Sequence, residues 1–405
     1  MLNVKTPEEV FKIINICFRP VLKTEPVQLC DAAGRVLSED ITSNEYIPGF
    51  NRSTVDGFAV KASDTFGCSE SIPAILNLQG SILMGKTSDE ALEKGCCFEI
   101  PTGGFVPAGA DAVVMIEHTE DYGDGTVGIL SPVAPGKNMV FKGDDLKPGE
   151  VVLCKGRRLN AADIGSLASM GITNVKVHKK IKVGIISTGD ELVPISESPK
   201  PGQIRNVNSV VLAAVAFECG ANAIDYGIAE DDETLITDTI LKAASECDVV
   251  LISGGSSAGE KDNTAKIIAE HGELLLHGIA IKPGKPTIIG KINGKPVIGM
   301  PGHPGASFFI AEYFVKQIIR RLQGEDIKSK PKALAVLDEA VDSNHGRAEI
   351  LAVKLTEKED GFHAKPVISK SGLITGLAQT DGYIYIDRNC EGLEKGCQVE
   401  VHNGF

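Results

Sequence analysis

Three short segments hold most of the residues able to do chemistry. They are Ser187-Thr188-Gly189-Asp190-Glu191-Leu192, the run from Ser253 through Gly254, Gly255, Ser256, Ser257 and Gly259 to Asp262, and Met300-Pro301-Gly302-His303-Pro304-Gly305. Each joins glycine to a hydroxyl, a carboxylate or an imidazole. Glycines let backbone N–H groups approach a phosphate, and a helix beginning near Asp262 would add its free N–H groups and positive dipole end. Gly254 and Gly259 have the spacing of a P-loop. However, Glu260 stands where that loop carries lysine, and Lys261 where it carries the magnesium-binding Ser or Thr. This is not an ordinary nucleoside-triphosphate loop. Residues 255–259 also read as G-x-S-x-G, the nucleophile elbow of serine hydrolases. Asp262 follows too closely for the usual triad member, and His303 is the only histidine in a comparable loop. A purely structural turn is the third reading.

Charge narrows the choice. From Leu274 to Ala311 there is no acidic residue, while Lys282, Lys285, Lys291 and Lys295 all fall in that stretch. Pro283 and Pro286 stiffen the segment around Lys282 and Lys285, which suits holding two ammonium groups towards one anion. Lys291 and Lys295 read instead as a solvated basic face. Asp190, Glu191, Asp231, Asp232 and Asp262 lie at predicted strand ends, and carboxylates beside a phosphate site usually hold magnesium. Asp232, just before Glu233-Thr234, is also a good helix cap. The residues alone therefore predict a magnesium-dependent site for a phosphorylated, anionic ligand.

Strands must carry those loops. Val183–Ile186, Ala223–Ile228, Val249–Ile252 and Leu274–Leu276 are apolar runs separated by helical patterns at Ser209–Cys219, Thr234–Ser245 and Thr264–His271. Such alternation builds βαβ units on a largely parallel sheet, with ligands beyond the carboxyl ends of the strands. Asn293-Gly294 predicts an antiparallel hairpin at an edge, and Ser307–Leu322 a closing helix. Upstream, Thr6, Pro7 and Glu9 spell a capping box for a first helix. Short strands cut by Gly and Pro run to about Asp145, and Asn160 leads a helix that stops at Gly171. Lys330-Pro331 opens a final β-rich unit.

At 405 residues the chain is too long for one compact domain. A net charge of −13 disfavours a general nucleic-acid or anionic-membrane binder. No apolar run approaches the ~18 residues of a spanning helix, and the N-terminus has no signal pattern. Ten scattered cysteines without a C-x-x-C, and eight dispersed histidines, argue against a disulfide framework or a zinc site. A cytoplasmic protein is expected.

The three loops, with Ile281–Pro286, resemble the MoeA family of molybdopterin molybdenumtransferases, relatives of the gephyrin E domain. Asp31–Asp40 (DAAGRVLSED), Ile47–Val60 (IPGFNRSTVDGFAV), Pro101–Glu117 (PTGGFVPAGADAVVMIE) and Pro135–Gly149 look like the same family in the same order. The resemblance therefore covers essentially the whole chain. It implies a multidomain α/β plus β protein, an elongated chain of four subdomains with a doubly wound molybdopterin-binding α/β domain. The subdomains would be a discontinuous dimerisation domain (1–46 and 146–178), an inserted β-rich domain (47–145), the α/β domain (179–327) and a C-terminal β-barrel (328–405).

The resemblance also implies a reaction. Adenylylated molybdopterin and molybdate are the substrates, Mg2+ assists cleavage of the phosphoanhydride, molybdenum goes onto the ene-dithiolate, and AMP leaves. By resemblance, Asp190, Glu191 and Asp262 position magnesium and the scissile phosphate, and Lys282 and Lys285 hold molybdate and the pterin phosphate. Thr188, Gly189, Asp231, Gly254, Gly255, Ser256, Ser257, Gly259, Pro301, Gly302, His303 and Arg347 are the further substrate-binding candidates. The family is a homodimer whose cleft is completed across the interface, so Asp56, Thr102 and Asp145 would come from the second subunit. Molybdopterin adenylyltransferase and apo-molybdoenzymes are the implied partners. The chain departs from the family's P-G-N-P-x-S at Pro301–Ala306, where His303 replaces asparagine and Ser307 falls one place late. Ser371–Gly376 lacks the serine-arginine pair of some relatives, leaving Arg347 as the cation there. Two alternatives remain at this stage: a phosphoanhydride hydrolase on the same frame, and a gephyrin-like scaffold.

Overall fold

The computed structural model describes residues 4–254, 260–328, 332–367, 372 and 374–402, with the backbone alone for 260–262. The α/β unit is built on six strands in the spatial order Asn222–Ala229, Lys182–Thr188, Val249–Ser253, Lys295–Met300, Ile288–Ile292, Glu273–His277. The first four pair in parallel; Ile288–Ile292 runs against them, and Glu273–His277 pairs antiparallel to it. Side chains alternate between two cores. Ile185, Val249 and Leu251 face one, under the helices Val207–Glu218 and Lys316–Leu322. Ile186, Val250 and Ile252 face the other, under Glu233–Glu246 and Glu260–His271. Burial on both faces is why these strands read as unbroken apolar runs. Each fully buried Ile, Leu or Val contributes about 1.5–3 kcal/mol.

The expected edge hairpin is not at the edge. Its Asn293-Gly294 turn forms, with φ of 52° and 75°, but Ile288–Ile292 lies inside the sheet and Glu273–His277 takes the edge, antiparallel to it. The link between those two strands is too short for the crossover that parallel pairing demands, so the chain must turn back. The closing helix also differs from expectation. It starts at Pro304, earlier than Ser307, and widens into a π-helical turn at Ala311–Val315 before Lys316–Leu322.

Helix Pro7–Cys17 carries both halves of its capping box, with Thr6 N donating to Glu9 Oε2 at 2.8 Å and Glu9 N to Thr6 Oγ1 at 3.3 Å. Its docking partner was not foreseen. Val10, Ile14 and Phe18 enter the α/β core beside Phe314 and Ile318, instead of packing with residues 146–178. An amphipathic stripe buries itself wherever apolar surface is open, and sequence adjacency does not choose the place. From Thr24 onward the chain does meet the later segment. Thr24–Gln28 pairs with Asn174–His178 and Ile41–Thr42 with Val151–Leu153. Leu37, Leu159, Leu167 and Val177 form the shared core.

Between these halves, residues 52–140 include a six-stranded sheet around Phe58, Val60, Cys97, Val114 and Val127. At the C-terminal end, Ala348–Lys358, Gly361–Pro366, Ala333–Leu337, Gln398–His402 and Gly382–Ile386 pair in that order, and the last closes back on the first as a five-stranded barrel. The short strand Ile281–Lys282 adds to Ala348–Glu349, joining the α/β unit to the barrel.

A polar seam joins the first module to the α/β unit. Arg158 donates to Glu325 Oε2 from Nε (3.0 Å) and Nη2 (2.6 Å), to Gly34 O (2.6 Å) and to Gln323 Oε1 (2.6 Å). Arg320 holds the other Glu325 oxygen.

Candidate functional site

Strand Lys182–Thr188 delivers Thr188 to the carboxyl edge of the sheet, where the chain turns at Gly189, whose φ is +137°. A side chain is strained at that φ, so glycine suits the turn that leads into the two carboxylates. Leu192 N donates back to Gly189 O at 3.1 Å, and Ile204 N to Glu191 O at 2.8 Å, closing the turn. Asp190 and Glu191 diverge. Glu191 lines a cavity of about 630 Å³, and Asp190 lines its neighbour of about 710 Å³, with Leu192 and Asn206 between them. Asp190 Oδ1 accepts from Asp231 N at 3.3 Å. Asp232 accepts from Thr234 N and Leu235 N, both at 2.9 Å, so it caps its helix.

The expected trio of metal carboxylates is thus not assembled among the described side chains: no three acidic, His or Cys groups converge. Magnesium needs only one or two protein carboxylates, the rest being water and ligand phosphate. Glu191, a half-buried carboxylate on the cavity that the strand-end loops enclose, fits that donor chemistry. The Asp262 side chain lies outside the described residues, as do Gly255, Ser256, Ser257 and Gly259.

The cavity of Glu191 is walled by Thr188, Ser253, Gly254, Gly302 and His303 from the strand ends, and by Gly372 and Ile374 from the barrel. Asn208 ties the wall together. Its Nδ2 donates to Ser253 Oγ at 2.7 Å and to Gly302 O at 2.9 Å, so one amide spans two strand-end loops. Asn206 accepts from Ser187 Oγ at 3.0 Å and caps the helix that carries Asn208. Arg205 also lines the cavity. Arg205, Asn206 and Asn208 were missed from sequence. The signal was the Arg-Asn-Val-Asn-Ser run opening a helix one short strand after the Asp190 loop. Gly254 touches Thr188: a Cβ would lie 2.8 Å from Thr188 Oγ1. Gly254→Ala is therefore expected to displace Thr188 and lower turnover by about tenfold, ~1.4 kcal/mol, with little change in melting temperature. Steady-state kinetics beside calorimetry would check this.

Neither Lys282 nor Lys285 is in that wall. Lys282 pairs with Glu349 of the barrel at 2.9 Å, Lys285 is exposed, and Arg347 sits two residues before Glu349. Lys282 therefore belongs to the seam between the α/β unit and the barrel, three residues from the exposed Lys285. Pro301 is buried, while Gly302 supplies its carbonyl to Asn208. Ser307 is fully buried and is not in the cavity wall; its Oγ has no hydrogen-bond partner. Asp56, Thr102 and Asp145 are exposed on the inserted domain, and Asp56 Oδ1 accepts from Thr102 N at 2.7 Å. None of the three lines the Glu191 or Asp190 cavity.

Comparison with known proteins covers nearly the whole chain. Residues 5–171 match the family model "MoeA N-terminal region (domain I and II)", residues 184–321 "Probable molybdopterin binding domain", and residues 335–403 "MoeA C-terminal region (domain IV)". Over 408 residues the chain is 33% identical to the molybdopterin molybdenumtransferase of Bacillus subtilis, spanning 99% of this chain and 95% of that one. The molybdopterin molybdenumtransferase of Haemophilus influenzae is 35% identical over 309 residues, 76% of this chain and 75% of that one. Among solved structures, the molybdopterin biosynthesis moeA protein of Pyrococcus horikoshii OT3 superposes with a TM-score of 0.85 at 35% identity, covering 98% and 99% of the two chains.

Proposed function

The chain belongs to the MoeA family, and from that premise we propose that it is a molybdopterin molybdenumtransferase that inserts molybdate into adenylylated molybdopterin with the help of Mg2+, releasing AMP. The observation that carries this reading is the cavity at the carboxyl ends of the parallel strands, walled by Thr188, Gly254 and Gly302 and bearing Glu191. Small residues there let backbone approach a phosphorylated ligand. Asn208 holds two of the loops in register, so the donors do not have to reorganise when charge shifts in the reaction. Magnesium, held by Glu191 with Asp190 and Asp262 as the other candidates, would supply charge neutralisation at the phosphoanhydride. Lys282, Lys285 and Arg347 meet the anionic oxygens of molybdate and the pterin phosphate from the barrel side.

The working form is a homodimer in which Asp56, Thr102 and Asp145 reach the partner's cleft. Helix Val207–Glu218 supports an association surface, since Val210, Ala214 and Phe217 form an exposed apolar stripe at spacings of four and three residues, with Phe217 79% exposed. The protein works in the cytoplasm, receiving substrate from molybdopterin adenylyltransferase and passing product to apo-molybdoenzymes. Among the described residues no helix is long and apolar enough to cross a membrane.

AMP release from adenylylated molybdopterin is the direct test. With magnesium, release should rise on adding molybdate, and the product should reconstitute an apo-molybdoenzyme. Release indifferent to molybdate would instead identify a phosphoanhydride hydrolase. Tungstate titrated in the same assay gives the oxoanion preference.

A further inference from the structure

Glu349 is a carboxylate buried to 7% exposure at the junction of two domains. Ile281–Lys282 runs parallel to Ala348–Glu349, with Lys282 and Glu349 as register partners. Glu349 Oε1 is 2.9 Å from Lys282 Nζ, and Oε2 accepts from Ser343 Oγ at 2.7 Å. Burying a carboxylate costs stability unless partners of this kind satisfy its oxygens. The Lys282 side chain is different: it retains 45% of its exposure. An ammonium has three N–H donors. One is committed to Glu349, and the open side of the group leaves others for a ligand.

This pairing has two consequences for an anion arriving at Lys282. The buried carboxylate fixes where the ammonium sits, and it offsets most of the lysine's charge as felt by the incoming ion. We propose that Glu349 is a positioning residue that holds Lys282 in the seam and sets the oxoanion affinity below what the lysine alone would give. This rests on the reading that Lys282 meets the oxoanion. Because the carboxylate comes from the barrel and the ammonium from the α/β unit, the setting depends on the two domains being in contact. A site with trimmed affinity takes up the oxoanion when the pterin substrate adds its own contacts, and lets unused ion leave.

The test is a double-mutant cycle on the full-length dimer, reading molybdate and tungstate binding by titration calorimetry. Glu349→Gln keeps the shape and a hydrogen-bond acceptor while removing the charge, and is expected to tighten oxoanion binding about tenfold. The KM for molybdate should fall with it, and kcat should not rise. Lys282→Ala is expected to weaken binding by about tenfold or more, and Glu349→Gln should then have no effect on the alanine background. Unchanged or weaker binding in Glu349→Gln would overturn the proposal while leaving Lys282 as a ligand. Tightening that persists without Lys282 would also overturn it, because the carboxylate would then be repelling the ion directly. If Lys282→Ala binds like the parent, the oxoanion role of Lys282 fails, and this proposal fails with it. Should Glu349→Gln not fold, Ser343→Ala serves: it leaves Lys282 as the carboxylate's sole side-chain partner among the described residues and should weaken binding about threefold. Parent-like binding there would count against the proposal.

Discussion

Replacing Glu325 by alanine is expected to cost about 3 kcal/mol of stability, at the low end of the cost of breaking a buried ion pair. The carboxylate is 4% exposed and lies between Arg158 and Arg320, one from each side of the seam. Its loss leaves two guanidiniums without a counter-charge. The cost stays at the low end because their side chains keep 24% and 21% of their exposure, so water takes up part of the charge. Scanning calorimetry should show the lowest-temperature transition moving down. A shift of less than a degree would mean that the seam holds by packing alone.

The same carboxylate gives the effect a pH signature. Burial pushes the Glu325 carboxyl up, but the hydrogen bonds and charges of Arg320 and Arg158 outweigh it, and the net value lies below the ordinary glutamate range. A group depressed in the folded state contributes stability above its unfolded pKa of about 4.3 and loses it as pH falls through the lower, folded value. Below about pH 4 the parent should therefore lose melting temperature more steeply than Glu325→Gln. Parallel curves would assign the acid loss to other carboxylates.

The second large effect tests whether the cleft is completed by a second subunit. Asp56→Ala and Lys282→Ala are each expected to lower turnover by about 100-fold, ~2.7 kcal/mol of transition-state stabilisation. Asp56 orders the loop of Thr102 on the inserted domain, and Lys282 stands at the barrel seam of the α/β unit. In a homodimer with clefts built from both subunits, mixing the two variants makes some dimers with one intact cleft and one doubly damaged. Random reassortment makes about half the dimers mixed, so activity should recover to about a quarter of the parent rate. A mixture as inactive as either variant alone, after exchange is verified by mass, would place Asp56 and Lys282 in the same subunit's cleft.

The elements of the site were legible where one chemical requirement fixed the residues. Buried parallel strands need apolar runs, and Ile185–Ile186 and Val249–Ile252 read as such at once. Thr6, Glu9, Asn160 and Asp232 announce helix starts because few side chains can accept from an open first turn. Residues that act by spanning elements were not legible. Asn208 looks like any polar residue in a helix until the fold brings Ser253 and Gly302 to its amide. Glu349 looks like an exposed strand residue until Lys282 appears opposite. The basic segment around Lys282 was recognised as unusual, yet its partner lay on another domain, beyond the reach of any local pattern. The docking of helix Pro7–Cys17 was missed for the same reason.

That docking has a bearing on how the protein is made. Phe11 packs against Tyr313 and Phe314, ring centroids 5.3 and 5.2 Å apart. About 300 residues must be synthesised in between, roughly 15–60 s at ~5–20 residues per second. During that interval the first helix leaves the ribosome with its apolar stripe uncovered, while the module beginning at Thr24 can close on its own later strand. Helix Pro7–Cys17 is thus made about 300 residues before the surface it docks on. Until then Val10 and Ile14 lack the apolar partners that cover them in the folded chain.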